Sequence, residues 1–194
     1  MNAARPLLLP ALLLVASGAS AAVTAPAAPL PAQWRSYDIL IELQGLPRTY
    51  SCDELWYRVR DVLLALGARA YMTLTPYDCG TTRGGEARSP RVQARFQLPY
   101  VLKGAETRYA ELNVHEQPVR LAPGSPRSLQ AQDCELVRQL RGTLLAGLPL
   151  HVALADFNCS GAQQSYSLTV DAPLRAADTP AGRAADAAGT APRS

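Results

Sequence analysis

The chain has 194 residues, with 19 Lys+Arg against 16 Asp+Glu, 48% hydrophobic residues and four cysteines. That composition excludes a collagen, a coiled coil, a multispan membrane protein and a wholly disordered chain, leaving one globular domain or two small ones. A net charge of +3 makes no nucleic-acid footprint, which needs many clustered basic contacts.

Residues 1–22 follow the grammar of a secretory signal peptide. Arg5 supplies the positive start, Leu7 to Val15 the apolar stretch, and Ala16 to Ala22 the small-residue region, with cleavage expected after Ala21 or Ala22. The apolar stretch is too short to span the hydrocarbon core of a bilayer. The mature chain is therefore expected to be periplasmic or secreted, with no transmembrane segment. Residues 23–33 carry three prolines and no charge, the composition of an extended linker. Residues 174–194 hold no aromatic and no β-branched aliphatic side chain, so they read as a disordered Ala-rich tail. A core at 34–173 remains, nearly neutral once the ends are set aside. Lys103 is its one lysine; every other base is an arginine.

The core repeats itself. Gly45-Leu-Pro-Arg-Thr49, Ser51-Cys-Asp-Glu-Leu55, Arg60 and Leu63-Leu-Ala65 recur as Gly124-Ser-Pro-Arg-Ser128, Asp133-Cys-Glu-Leu136, Arg141 and Leu144-Leu-Ala146. Tyr77-Asp-Cys79 matches Phe157-Asn-Cys159, and Phe96-Gln-Leu-Pro99 matches Val170-Asp-Ala-Pro173. The cysteine offsets of 82 and 80 keep the register, which predicts repeats at 34–104 and 105–173.

In the first repeat, Tyr37, Ile39, Ile41 and Leu43 alternate with polar residues, the period of a strand. Leu55, Val59, Val62, Leu63 and Leu66 then form one helical stripe, started by the Ser51/Glu54 capping box and stopped at Gly67. Strands are expected at 69–75 and 91–98. The second repeat predicts a strand around 109–114, a helix over 134–146 capped by Asp133, and strands at 150–157 and 166–171. Leu136, Leu140, Thr143, Leu144 and Gly147 form its stripe. The fold class is α+β: tandem duplicated β-α-β-β units, with two helices packed on one face of a largely antiparallel sheet.

Each repeat has one cysteine at a helix N-terminus (Cys52, Cys134) and one ending the following strand (Cys79, Cys159). A helix of about 14 residues rises roughly 20 Å, and about six strand residues return the same distance, so both sulfurs arrive at one level. Of three possible connectivities, the duplication favours Cys52–Cys79 with Cys134–Cys159. Closely spaced zinc ligands and C-x-x-C redox pairs are both absent.

No catalytic constellation, cofactor motif or metal site is evident. His115 and His151 are the two histidines, the first expected at an exposed strand edge and the second at a half-buried strand position. Asp53/Glu54 and Asp133/Glu135 fall in first helical turns, where acids complement the helix dipole. Asn158-Cys-Ser160 has the form of a glycosylation sequon. The long loop at 78–90 carries Arg83 and Arg88 and leads to Arg91; with Trp56 and Tyr57 beside the buried stripe, these are the candidate partner-binding residues. The expected function is an exported, disulfide-stabilised, non-catalytic module for an unknown protein, peptide or small ligand. One alternative is a small extracytoplasmic enzyme with a site between the repeats, in which His115 or His151 faces a carboxylate. Another is an envelope structural protein with a long exposed sheet edge.

Overall fold

The computed structural model describes residues 28–79, 89–161 and 163–176. The expected signal peptide, most of the linker and tail, and Arg83 and Arg88 lie outside the described residues. Six strands and two α-helices follow in the order β1 (Leu30–Glu42), α1 (Cys52–Ala65), β2 (Thr73–Tyr77), β3 (Arg91–Val101), β4 (Leu112–Leu121), α2 (Cys134–Thr143), β5 (His151–Asn158) and β6 (Ser165–Leu174).

All pairings are antiparallel, in the sheet order β2-β3-β1-β4-β6-β5. β1 pairs with β3 over Ala32–Glu42, but with β4 only through Leu30–Ala32 against Leu112–Val114. The sheet therefore consists of two three-stranded groups, β2-β3-β1 and β4-β6-β5, meeting at a seam three residue pairs long.

Alternation decides which face is buried. Val92, Ala94, Phe96 and Leu98 on β3, and Tyr166, Leu168, Val170 and Ala172 on β6, pack with the stripes of both helices into one core. Much of the opposite face is polar and exposed. On it, Asp38 meets Gln93 and Arg95, and Arg120 Nε donates to Ser167 Oγ at 3.1 Å.

Local signals explain the helices. Ser51 Oγ accepts from Glu54 N at 3.1 Å, as its sequence position predicts. Gly67 then turns the chain at φ 90°, and a Cβ there would lie 2.9 Å from Leu174 Cδ2. The disulfides are Cys52–Cys79 and Cys134–Cys159, with Cα separations of 5.2 and 5.3 Å. Each ties a helix start to the end of the next strand.

Several boundaries depart from expectation. β1 starts at Leu30, inside the expected linker, because Ala32 is fully buried at the seam. β6 runs to Leu174, which is buried against Gly67 rather than opening a tail. β2 begins at Thr73 and ends at Tyr77, later than the expected 69–75. Residues Gly104–Tyr109 form a 3₁₀ turn, so the fourth strand is Leu112–Leu121 and not 109–114. α2 stops at Thr143, and a 3₁₀ turn at Leu145–Gly147 completes its path.

Asp133 departs most from expectation. It makes no side-chain cap for α2 and has no exposed surface. Its carboxylate accepts from Gln130 N at 2.8 Å, Tyr50 Oη at 3.0 Å and Arg48 Nη2 at 3.2 Å. Arg58 Nε lies 2.7 Å away as an ion pair. Glu54 also binds both arginines, so two acids and two bases form a balanced cluster. Tyr50, Arg48 and Arg58 come from the first strand group and Asp133 from the second; the cluster thus crosses the seam on the helix side. Burial, followed by the Asp133 charge, pushes the phenols of Tyr50 and Tyr166 well above their ordinary value.

Candidate functional site

On the open face, the seam widens into a groove of about 410 Å³ built from both strand groups. The end of β3 contributes Pro99, Tyr100 and Val101, and Lys103 follows it. β4 contributes Glu116, β6 contributes Asp171 and Pro173, and the start of β5 contributes His151 behind Pro149. Register explains the convergence: Glu116 stands opposite Pro173, and His151 opposite Asp171, on one face of their strands.

His151 Nδ1 lies 2.9 Å from Asp171 Oδ2. An ionised carboxylate only accepts, so a ring that bonds it through Nδ1 carries the hydrogen there, and its neutral tautomer keeps Nε2 as an acceptor. The His151 side chain is 76% exposed and that of Asp171 38%, so the pair sits on a rim open to water. This corrects the half-buried placement expected for His151. The cause is a shift of register between Val152 and Leu154, which puts odd-numbered His151 and even-numbered Leu154 on the same face.

The walls are apolar. Pro99 is buried at the bottom of its strand row, and the Arg35 guanidinium covers the Tyr100 ring at 5.0 Å from its centroid. Trp34, opposite Pro99 in the register, is flanked by Arg69 at 4.2 Å and Arg175 at 5.5 Å. A second, more open depression of about 450 Å³ is lined by Gln130, Gln132 and Gln164 with no charged side chain. Among the described residues, no group of three or more His, Cys, Asp or Glu is placed to hold a metal.

The groove does not gather the candidates expected from sequence. Arg91 is held by Asp78 through Nε at 3.0 Å and Nη2 at 2.6 Å, at the start of β3. Trp56 and Tyr57 pack edge-to-face at 5.0 Å on α1, with Tyr57 exposed and Arg60 over Trp56. His115 stands opposite Leu174 and is half-buried, not on an exposed edge. Of the residues singled out in the sequence, His151 alone lines the groove as a candidate, joined by Lys103. Glu116 and Asp171 carried no sequence signal. Pro99 and Pro173 did, since they end matching sequence blocks, and both line the groove.

Chemically, the groove offers one ammonium, one free carboxylate and a His–Asp pair between proline and tyrosine walls. Among the described residues, no serine, threonine or cysteine lines it, and both cysteine pairs are oxidised. The pair can accept and orient a proton but has no adjacent nucleophile to activate. No protein-family model matches the chain, and neither the curated proteins nor the solved structures offer a match.

Proposed function

We propose that the chain is an exported, non-catalytic binding module made of two duplicated β-α-β-β units, with its ligand site in the seam groove. The observation that carries this reading is the groove itself, which draws polar groups from both strand groups onto one face. Pockets of this size with a few convergent polar groups are the usual form of small-ligand sites. The mirrored sheet order and the equivalent disulfides support duplication, and two disulfides suit an oxidising compartment. No helix among the described residues is long and apolar enough to cross a membrane. Arg91, Trp56 and Tyr57 are retained as candidate contacts for a protein partner, together with Arg83 and Arg88, which lie outside the described residues.

A thermal-shift screen of the mature chain against small polar compounds and short peptides tests the groove. Ligands that raise the melting temperature are expected to lose their effect in the His151→Ala/Asp171→Ala double variant. Hits indifferent to that variant would move the site elsewhere.

The 2.9 Å His151–Asp171 contact favours one second reading, an enzyme that uses the imidazole as general base toward a bound water. Turnover of a hit compound, abolished by His151→Ala, would replace binding with catalysis.

A further inference from the structure

Resting on the groove as ligand site, we infer that its ligand is a short peptide or peptide-like zwitterion, bound with its carboxylate at Lys103 and its ammonium between Glu116 and His151. Three observations lead there. The first is the separation of charge across the sheet. Lys103 follows β3 on one side of the seam, whereas Glu116, Asp171 and His151 belong to β4, β6 and β5 on the other.

The second is hydrogen-bond polarity. Nδ1 of His151 faces the Asp171 carboxylate at 2.9 Å, and in the neutral tautomer that donates to it, Nε2 is an acceptor toward the groove. Glu116 adds carboxylate oxygens. The β4-β6-β5 side is therefore an acceptor surface suited to an ammonium, and Lys103 is a three-donor cation suited to a carboxylate. Among the described lining residues, Lys103 is the one ammonium; Arg35 is engaged over the Tyr100 ring.

The third is the wall. Pro99, Pro149 and Pro173 have no backbone N–H and offer compact apolar rings, with Tyr100 beside them. An extended peptide advances about 3.3–3.6 Å per residue. Cα atoms of β3 and β6 approach within 8 Å, so a chain of two or three residues reaches from one side of the groove to the other.

The single lysine makes the test direct. Reductive ¹³C-methylation of the mature protein labels Lys103 as its only ε-amine, keeps the positive charge, and gives one lysine resonance to follow. Trialanine is the probe, compared with its N-acetylated and C-amidated forms and with an uncharged trisaccharide. Trialanine is expected to shift the Lys103 signal saturably, and each blocked form to bind about three- to tenfold more weakly.

Glu116→Gln should weaken trialanine by a similar factor and leave the N-acetylated form unaffected. In Lys103→Met, followed by calorimetry, the free and C-amidated peptides should bind equally. Both positions are exposed, and near-ultraviolet circular dichroism confirms that each variant is folded. Blocked peptides that bind as well as trialanine overturn the inference. A signal that responds to the trisaccharide and not to trialanine refutes the peptide but preserves the groove as a site. Silence toward every probe removes the groove reading as well.

Discussion

Replacing Asp133 by asparagine tests whether charge holds the helix side of the seam. The substitution preserves volume and one acceptor oxygen but removes the negative charge that faces Arg48, Arg58 and Tyr50. Arg58, its side chain only 9% exposed, would then share Glu54 with Arg48. Removing one partner of a buried ion pair costs about 3–5 kcal/mol, because the remaining charge is stranded away from water. Glu54 is 29% exposed and still compensates in part, which places Asp133→Asn near the lower end, about 3 kcal/mol. For a core of this size, that loss lowers the melting temperature by roughly 10 °C. Urea unfolding of Asp133→Asn, Arg58→Met and the double variant measures both the loss and the coupling. The double variant should lose clearly less than the sum of the singles, with unchanged m-values. A loss below about 1 kcal/mol, or strict additivity, would refute the charge lock.

Four further outcomes follow from other contacts of the fold. Replacing either cysteine pair by alanines should cost about 3.5 kcal/mol on the chain-entropy account of a loop of 27 or 25 residues, read by denaturant midpoint. Mass mapping without reductant should find Cys52 joined to Cys79, and a Cys52–Cys134 peptide would sink the pairing. Gly67→Ala combines φ 90° with a Cβ 2.9 Å from Leu174 Cδ2 and 3.3 Å from Pro173 O, so a destabilisation of about 1–3 kcal/mol is expected; a neutral result would mean the turn relaxes freely. Tyr50 and Tyr166 ionise above their ordinary value near 10 because burial, then Asp133, opposes the phenolate. Folding therefore gains from their neutral form fully below about pH 10 and loses that gain as pH rises through the folded values. Stability should fall on the alkaline side, with a shallower fall in Tyr50→Phe; an identical slope in that variant would contradict the assignment.

Patterns confined to one element were legible in the sequence, and contacts across the seam were not. The α1 stripe, the Ser51 cap and the turn at Gly67 depend on neighbours three or four residues away, so periodicity exposes them. The disulfide pairing was reachable because helix rise and strand return are fixed lengths. Asp133 read as a cap because its sequence neighbours suit one; its real partners, Arg48, Tyr50 and Arg58, are more than 70 residues away. His151 was misplaced because the register shift before Leu154 breaks the period of two on which strand faces are assigned. The Glu116 and Asp171 contributions depend on strand order, which sequence alternation does not specify.

The division of labour across the seam follows from its shortness. Three residue pairs between β1 and β4 give little backbone bonding between the strand groups, so side chains must supply the rest. On the helix side they do so by burial: Leu174 packs at Gly67, Ile39 at Gly147, and the Asp133 cluster joins the two groups through charge. On the open side a concavity lies at the ends of β3 and β6, between Pro99 and Pro173. A flat, continuously paired sheet would have presented only a row of exposed polar side chains there. The incomplete pairing that obliges the helix side to be locked is thus the same feature that opens a ligand-sized groove opposite. The covered face needs rigidity for the groove to keep its shape, and the cluster and disulfides provide it at the N-terminal ends of both helices.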